Sequence, residues 1–225
     1  MVDPTRRWLD RYFGVAIVCY EIERWAMAGD VDVVELRSEV QSHYAEVADH
    51  PDGDFHFHTG RFAAEQLGYD PAWLADLPES SVEAFAGVAN PFAWGLPVAG
   101  EKVVDVGSGA GFDAVIAAGA VGPQGAVVGV DMTPAMLKRA TELATSLGLD
   151  HLEFREGLAE DLPLADGWAD LVISNGVINL VPDKVGAYRE VFRVLRPGGR
   201  IQIGDVCVER EVPEAAKRDI DLWTG

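Results

Sequence analysis

The stretch Val103-Val104-Asp105-Val106-Gly107-Ser108-Gly109-Ala110-Gly111 is an apolar run that ends in three alternate glycines and leads into a helix-forming segment. Glycines at such a turn let the backbone bend sharply and let a ligand approach with no Cβ in the way. A dinucleotide fingerprint reads Gly-x-Gly-x-x-Gly, whereas here the third glycine arrives one residue early and Phe112 stands in its place. That spacing argues against a pyrophosphate on the helix N-terminus. Asp131 lies 20 residues beyond Gly111, at the end of the next apolar run, where a carboxylate accepts both hydroxyls of a ribose. Asp105, beside the glycines, repels a phosphate and attracts an ammonium group. Together these residues point to a nucleoside with a positively charged amino-acid tail. Taken alone, the loop is equally compatible with a plain turn that Asp105 caps.

A second concentration of reactive side chains is Asp54-Phe55-His56-Phe57-His58-Thr59-Gly60. In an extended segment His56 and His58 share one face and the two phenylalanines the other. The pair is a candidate general base for an acceptor that must lose a proton. A metal pair with Asp54 and a loop with aromatic anchors are the other readings, and without a third ligand no metal is expected. The chain has two cysteines, Cys19 and Cys207, too few for a disulfide framework or a cysteine-rich zinc site.

The elements that must carry these residues fall into two halves. Residues 1–100 read as a helical cap: an amphipathic helix from about Pro4 to Ala28 with Asp3 as N-cap, then helical stretches at Glu35–Tyr44, Gly60–Leu67, Pro71–Leu77 and Ser80–Gly87. Arg6, Arg7 and Arg11 before the apolar run 12–20 imitate a secretory signal, but Glu21, Glu23 and Arg24 interrupt it, so a cytoplasmic protein is expected. Residues 101–225 alternate Val- and Ile-rich runs (Lys102–Val106, Ala126–Val130, His151–Arg155, Ala169–Ser174, Arg200–Val206) with helical segments at about 112–120, 134–147 and 183–195. This alternation predicts an α/β fold, a doubly wound parallel sheet of Rossmann-like type.

The 225 residues hold 18 Lys+Arg against 37 Asp+Glu, a formal net charge of −19, and both halves are acidic. Nucleic acid and anionic membrane surfaces are disfavoured as partners, because no basic face can neutralise phosphates. A small-molecule partner is expected instead.

Four segments carry a family resemblance: Asp105–Gly111; Gly129-Val130-Asp131-Met132-Thr133-Pro134; Ser174-Asn175-Gly176-Val177-Ile178-Asn179-Leu180; and Val194-Leu195-Arg196-Pro197-Gly198-Gly199-Arg200. With them the chain resembles the class I S-adenosylmethionine-dependent methyltransferases, most closely the arsenite methyltransferase branch. The resemblance implies S-adenosylmethionine as cofactor. Asp105, Gly107, Ser108, Gly109 and Gly111 would line its methionine moiety and Asp131 would hold the ribose. Met132 would pack near the adenine, Leu158, Ala159 and Glu160 would hold the adenine edge, and Asn175 would face the sulfonium.

Two departures qualify that likeness. Arsenite methyltransferases hold trivalent arsenic through thiolates, and the matching positions here are Val88, in Gly87-Val88-Ala89-Asn90-Pro91, and Gly176. Soft trivalent arsenic selects thiolates, so another small-molecule acceptor is expected. Arsenite held by other ligands, a cofactor-binding protein without turnover and, third, a nicotinamide oxidoreductase are the alternatives. Class I sheets resemble seven strands, yet about 19 residues follow Val206, so strands six and seven are expected to be missing and the fifth strand open to pairing, as in a homodimer.

Overall fold

The computed structural model describes residues 32–49, 60–75, 77–206 and Trp223. The helix expected at 4–28, the histidines His56 and His58, and both cysteines lie outside the described residues.

Five strands, β1 (Lys102–Val106), β2 (Ala126–Asp131), β3 (Leu152–Glu156), β4 (Ala169–Asn175) and β5 (Leu195–Gly204), form one sheet in the order β3-β2-β1-β4-β5. Every neighbouring pair is parallel. The order reverses between β1 and β4, and the loops after those strands open a crevice where doubly wound sheets bind ligands. The expected strands are all present, with one shift. β5 starts at Leu195 and not at the expected Arg200, because Ala169 pairs with Leu195 and Leu171 with Arg200, so the intervening Arg-Pro-Gly-Gly stretch is a bulge within the strand. It ends at Gly204, short of Val206.

Side chains alternate across the sheet and build two cores. Val104, Val106, Val128, Val130 and Val172 face α7 (Lys184–Val194), packing with Val191 and Val194. Val103, Val127, Leu171 and Ile173 face α5 (Phe112–Val121) and α6 (Pro134–Ser146). Asp105 belongs to this second face by its parity with Val103, so its carboxylate enters the side where the cap packs.

The cap comprises α1 (Val33–Asp49), α2 (Gly60–Gln66), α3 (Pro71–Leu74), α4 (Glu79–Glu83) and a 3-10 turn at Pro91–Trp94. Asp70 caps α3 by accepting the N–H of Ala72 (2.8 Å), with Pro71 at the first helical position. α1 runs longer than expected, and α3 and α4 stop before Leu77 and Gly87. An aromatic cluster joins the cap to the sheet: the Tyr69 ring meets Phe85 and Phe112 edge-on, each at 5.3 Å, and Phe85 lies 4.4 Å from Phe112. All three are buried, and truncating such a ring costs about 3–5 kcal/mol. The cap is therefore one packed unit with the sheet at the crevice. Its loop also lies against β5, where Gln202 donates to the Gly95 carbonyl (3.1 Å).

Candidate active site

A cleft opens at the C-terminal ends of β1, β2 and β4. The glycine loop after β1 forms its floor. Gly107 takes φ 72°, which only glycine adopts without strain, and a Cβ there would collide with the Val177 side chain across the cleft. Its N–H and that of Ser108 both donate to the Val130 carbonyl (2.7 and 3.0 Å), which locks the loop to the end of β2. Gly107, Ser108 and Gly109 line the cleft and Gly111 does not. A Cβ on Gly111 would lie 2.8 Å from the Phe154 ring and 3.1 Å from the Ala140 Cβ, so this glycine serves helix-to-strand packing.

Three carboxylates converge on the loop. Asp131 accepts the N–H of Gly109 and of Thr133, both at 2.8 Å, so each of its oxygens has a backbone donor. Asp113, in the first turn of α5, accepts from the Tyr69 hydroxyl (2.7 Å) and from the Asn175 amide (3.0 Å). Burial pushes its carboxyl up to about 6, against the pull of those two donors. Asp105 is 2 % exposed, and its Oδ2 is buried with no donor among the described residues. Burial first, then Asp113 and Asp131, drive its carboxyl well above the usual carboxylate range. Ser108 Oγ is likewise buried without a described partner.

These features fit an S-adenosylmethionine-like group. The orphaned Asp105 oxygen calls for a cationic donor, and the glycine loop leaves no Cβ between backbone and ligand.

Asn175 lines the cleft as expected, but its amide is fully engaged. Its oxygen accepts the N–H of Val88 (2.9 Å) and Ala89 (3.0 Å), and its NH2 donates to Ala89 O, Asp113 and Tyr69 Oη. It ties the cap loop 87–91 to the sheet. Met132, Leu158, Ala159 and Glu160 also line the cleft. Above them lies α1: Arg37 pairs with Glu160 (3.1 Å) and Gln41 donates to the Met132 carbonyl (2.6 Å). Tyr44 of the same helix lines the cleft, its phenol pushed up to about 12 by burial and by Asp131 and Asp205.

Sequence reasoning missed Asp113, Tyr69, Arg37 and Tyr44. Asp113 had a signal: it is the one polar residue in the otherwise apolar Phe112–Val121. Tyr69 and the α1 side chains had none, since only the tertiary fold brings them to the loop.

On the cap side of the cleft, Gly176 (φ 72°) faces Val88, and a Cβ on it would sit 3.2 Å from Val88 Cγ2. The surrounding wall is Ala86, Gly87, Val177, Leu180, Val181 and Pro182. No group of residues able to hold a metal ion occurs among the described residues, and no described helix is long and apolar enough to cross a membrane.

A family model described as a methyltransferase domain matches residues 97–224. The arsenite methyltransferase of Halobacterium salinarum is 43% identical over 162 residues, which cover 72% of this chain and 41% of that protein. The arsenite methyltransferase of Aquipseudomonas alcaligenes is 39% identical over 166 residues, covering 68% and 47%. The demethylmenaquinone methyltransferase of Bacillus cytotoxicus is 35% identical over 114 residues, covering 51% and 46%. Among solved structures, an arsenic(III) S-adenosylmethionine methyltransferase from Chlamydomonas reinhardtii superposes with a TM-score of 0.60 at 42% identity, over 65% of this chain and 51% of that one. The chain thus spans less than half the length of these curated relatives.

Proposed function

This chain belongs to the class I S-adenosylmethionine-dependent methyltransferases, and from that premise we propose that it transfers the cofactor's methyl group to a small molecule other than arsenite. The observation that carries the choice of acceptor is the Val88–Gly176 contact. Where a thiolate pair would be needed to hold trivalent arsenic, an isopropyl group packs on a glycine, 3.2 Å from where its Cβ would be. The acceptor wall is apolar, which suits a compact, largely apolar acceptor.

S-adenosylmethionine supplies an already activated methyl group on sulfonium. The chain's own residues then bind, align and keep water out. In this reading Asp131 holds the ribose, Asp105, Gly107, Ser108 and Gly109 the methionine end, and Met132 with Leu158–Glu160 the adenine. Asn175 acts on the cap loop, because its amide is spent on Val88 and Ala89. Residues 1–100 serve as the cap over the domain at 101–225, and His56 or His58 supplies a base when the acceptor carries a proton. The chain after His58 is anchored beside the cleft: the N–H of Gly60 donates to the carbonyl of Phe85 (2.9 Å), which lines the cleft.

The test is formation of S-adenosylhomocysteine with a panel of small apolar amines, phenols and thiols, with arsenite as one arm. Turnover on panel members and none with arsenite is expected. Arsenite methylation as the best activity would overturn the acceptor assignment, and cofactor binding with no turnover on any arm would favour a binding protein. His56→Ala and His58→Ala both leaving turnover intact would remove the base.

A further inference from the structure

Asp105 from β1, Asp113 from α5 and Asp131 from β2 all line one cleft, and their donors are unequally shared. Both Asp131 oxygens have backbone N–H donors and both Asp113 oxygens have side-chain donors. Asp105 has the backbone N–H of Ala114 for one oxygen and no described donor for the other. The remaining described groups that face this trio offer it no free counter-ion. Among the described residues lining the cleft Arg37 of α1 is the one basic residue, and it is spent on Glu160. Tyr44 of α1 and Tyr69 of the cap are raised by burial and stay neutral phenols. On the far side Lys184 donates to the carbonyls of Asn179 and Val181, both at 2.9 Å, beside Asp205. A buried carboxylate with one oxygen undonated and no cation beside it is neutralised instead, by a proton or by a positively charged ligand.

We propose that Asp105 is a proton-for-cation exchange site: it carries a proton in the cofactor-free protein and releases it to solvent when the ammonium of the cofactor's amino-acid tail takes its place. The O–H bond of Asp105 breaks, its proton goes to the buffer, and an ammonium N–H donates to the freed oxygen. Tyr69 and Asn175 decide which carboxyl takes part. Their two hydrogen bonds keep Asp113 the charged member of the pair, so the proton resides on Asp105. Cofactor binding therefore becomes tighter as pH rises, by up to about tenfold per pH unit, until Asp105 ionises in the free protein.

Calorimetric titration of the wild-type protein with S-adenosylmethionine, at about pH 6.5 in buffers of different ionisation heat, tests this. Binding should become more exothermic in proportion to that heat, with a slope approaching one proton released. S-adenosylhomocysteine should give the same slope, because it keeps the ammonium and lacks the sulfonium. Methylthioadenosine, which has the nucleoside without the tail, should give a slope near zero. Asp105→Asn should bind the cofactor at least tenfold more weakly and release no proton. The idea is overturned by a zero slope for S-adenosylmethionine, by an equal slope for methylthioadenosine, or by affinity that falls between about pH 6 and pH 7.5. The last result would mean that binding takes up a proton instead of releasing one. The methylthioadenosine arm needs no variant, so a poorly folding Asp105→Asn leaves the test intact.

Discussion

A carboxylate in an apolar helix costs free energy unless its oxygens find donors, and Asp113 finds two, the Tyr69 hydroxyl and the Asn175 amide. Even so, burial dominates and holds its carboxyl near 6. A carboxyl raised on folding binds more protons in the native state than in the unfolded chain between about pH 4 and 6. Its stabilising share is complete below about pH 4 and is lost as pH rises to about 6. Removing a donor to the ionised form should deepen that loss. Tyr69→Phe, which keeps the ring packing against Phe85 and Phe112, should cost about 1–3 kcal/mol at pH 7.5, where Asp113 is charged. At pH 5 it should cost clearly less, since the protonated acid needs fewer donors. Urea unfolding at the two pH values measures the difference, and an equal cost at both would show that the hydroxyl does not serve the carboxylate. Gly107 makes a second residue-scale case. Its positive φ and the opposing Val177 leave Gly107→Ala both strained and in collision, so cofactor affinity should fall at least tenfold in direct binding assays.

At the scale of elements, α1 is held at the Met132–Glu160 end of the cleft by three bonds: Arg37 to Glu160, Gln41 to the Met132 carbonyl, and the Arg139 side chain of α6 to the carbonyl of Ala48 in α1. Arg37 is about one-third exposed and Glu160 less so, so the pair contributes on the order of 1 kcal/mol. Arg37→Ala combined with Gln41→Ala should leave the sheet folded and raise the cofactor dissociation rate about tenfold in stopped-flow measurements. An unchanged rate would mean that α1 does not guard the nucleoside. Much of this element layer is legible from residues alone. Val- and Ile-rich runs announce β1, β2 and β4, because buried parallel strands need apolar residues on both faces. The glycine loop is equally plain, because Gly107 and Gly109 stand where a β-strand meets a helix. β5 begins ahead of the expected Arg200, because only the long-range pairing of Ala169 with Leu195 takes Arg196–Gly199 into the strand as a bulge. Asn175 was readable as a cleft residue, but its binding to Val88 and Ala89 joins positions 86 and 87 apart in the chain. Local sequence carries no trace of such a contact.

For the whole molecule, a net charge of −19 over 225 residues sets one sign of repulsion over most of the surface. Only 4 of the 18 basic residues are lysines, and several arginines are already committed to acids: Arg61 to Glu79, Arg193 to Glu190 and Asp166, Arg200 to Glu101. Salt acts on both populations with opposite signs. It weakens these pairs, which are exposed or half-exposed and contribute at most about 1 kcal/mol each. It also screens the repulsion among the unpaired acids, which favours the compact state. The screening length falls from about 10 Å at 0.1 M to about 3 Å at 1 M, so neighbouring surface carboxylates stop sensing one another over that range. With acids outnumbering bases about two to one, relief of repulsion outweighs loss of pairs. The thermal midpoint should therefore rise by roughly 2–8 °C between 0.1 and 1 M NaCl, equivalent to about 1–2 kcal/mol for a domain of this size. Most of the gain should come in the first half of that range, as screening requires, and should be similar with KCl. A midpoint that falls with salt would show that the arginine pairs dominate. A gain seen with sulfate but absent with chloride at equal ionic strength would assign it to solvent exclusion from apolar surface.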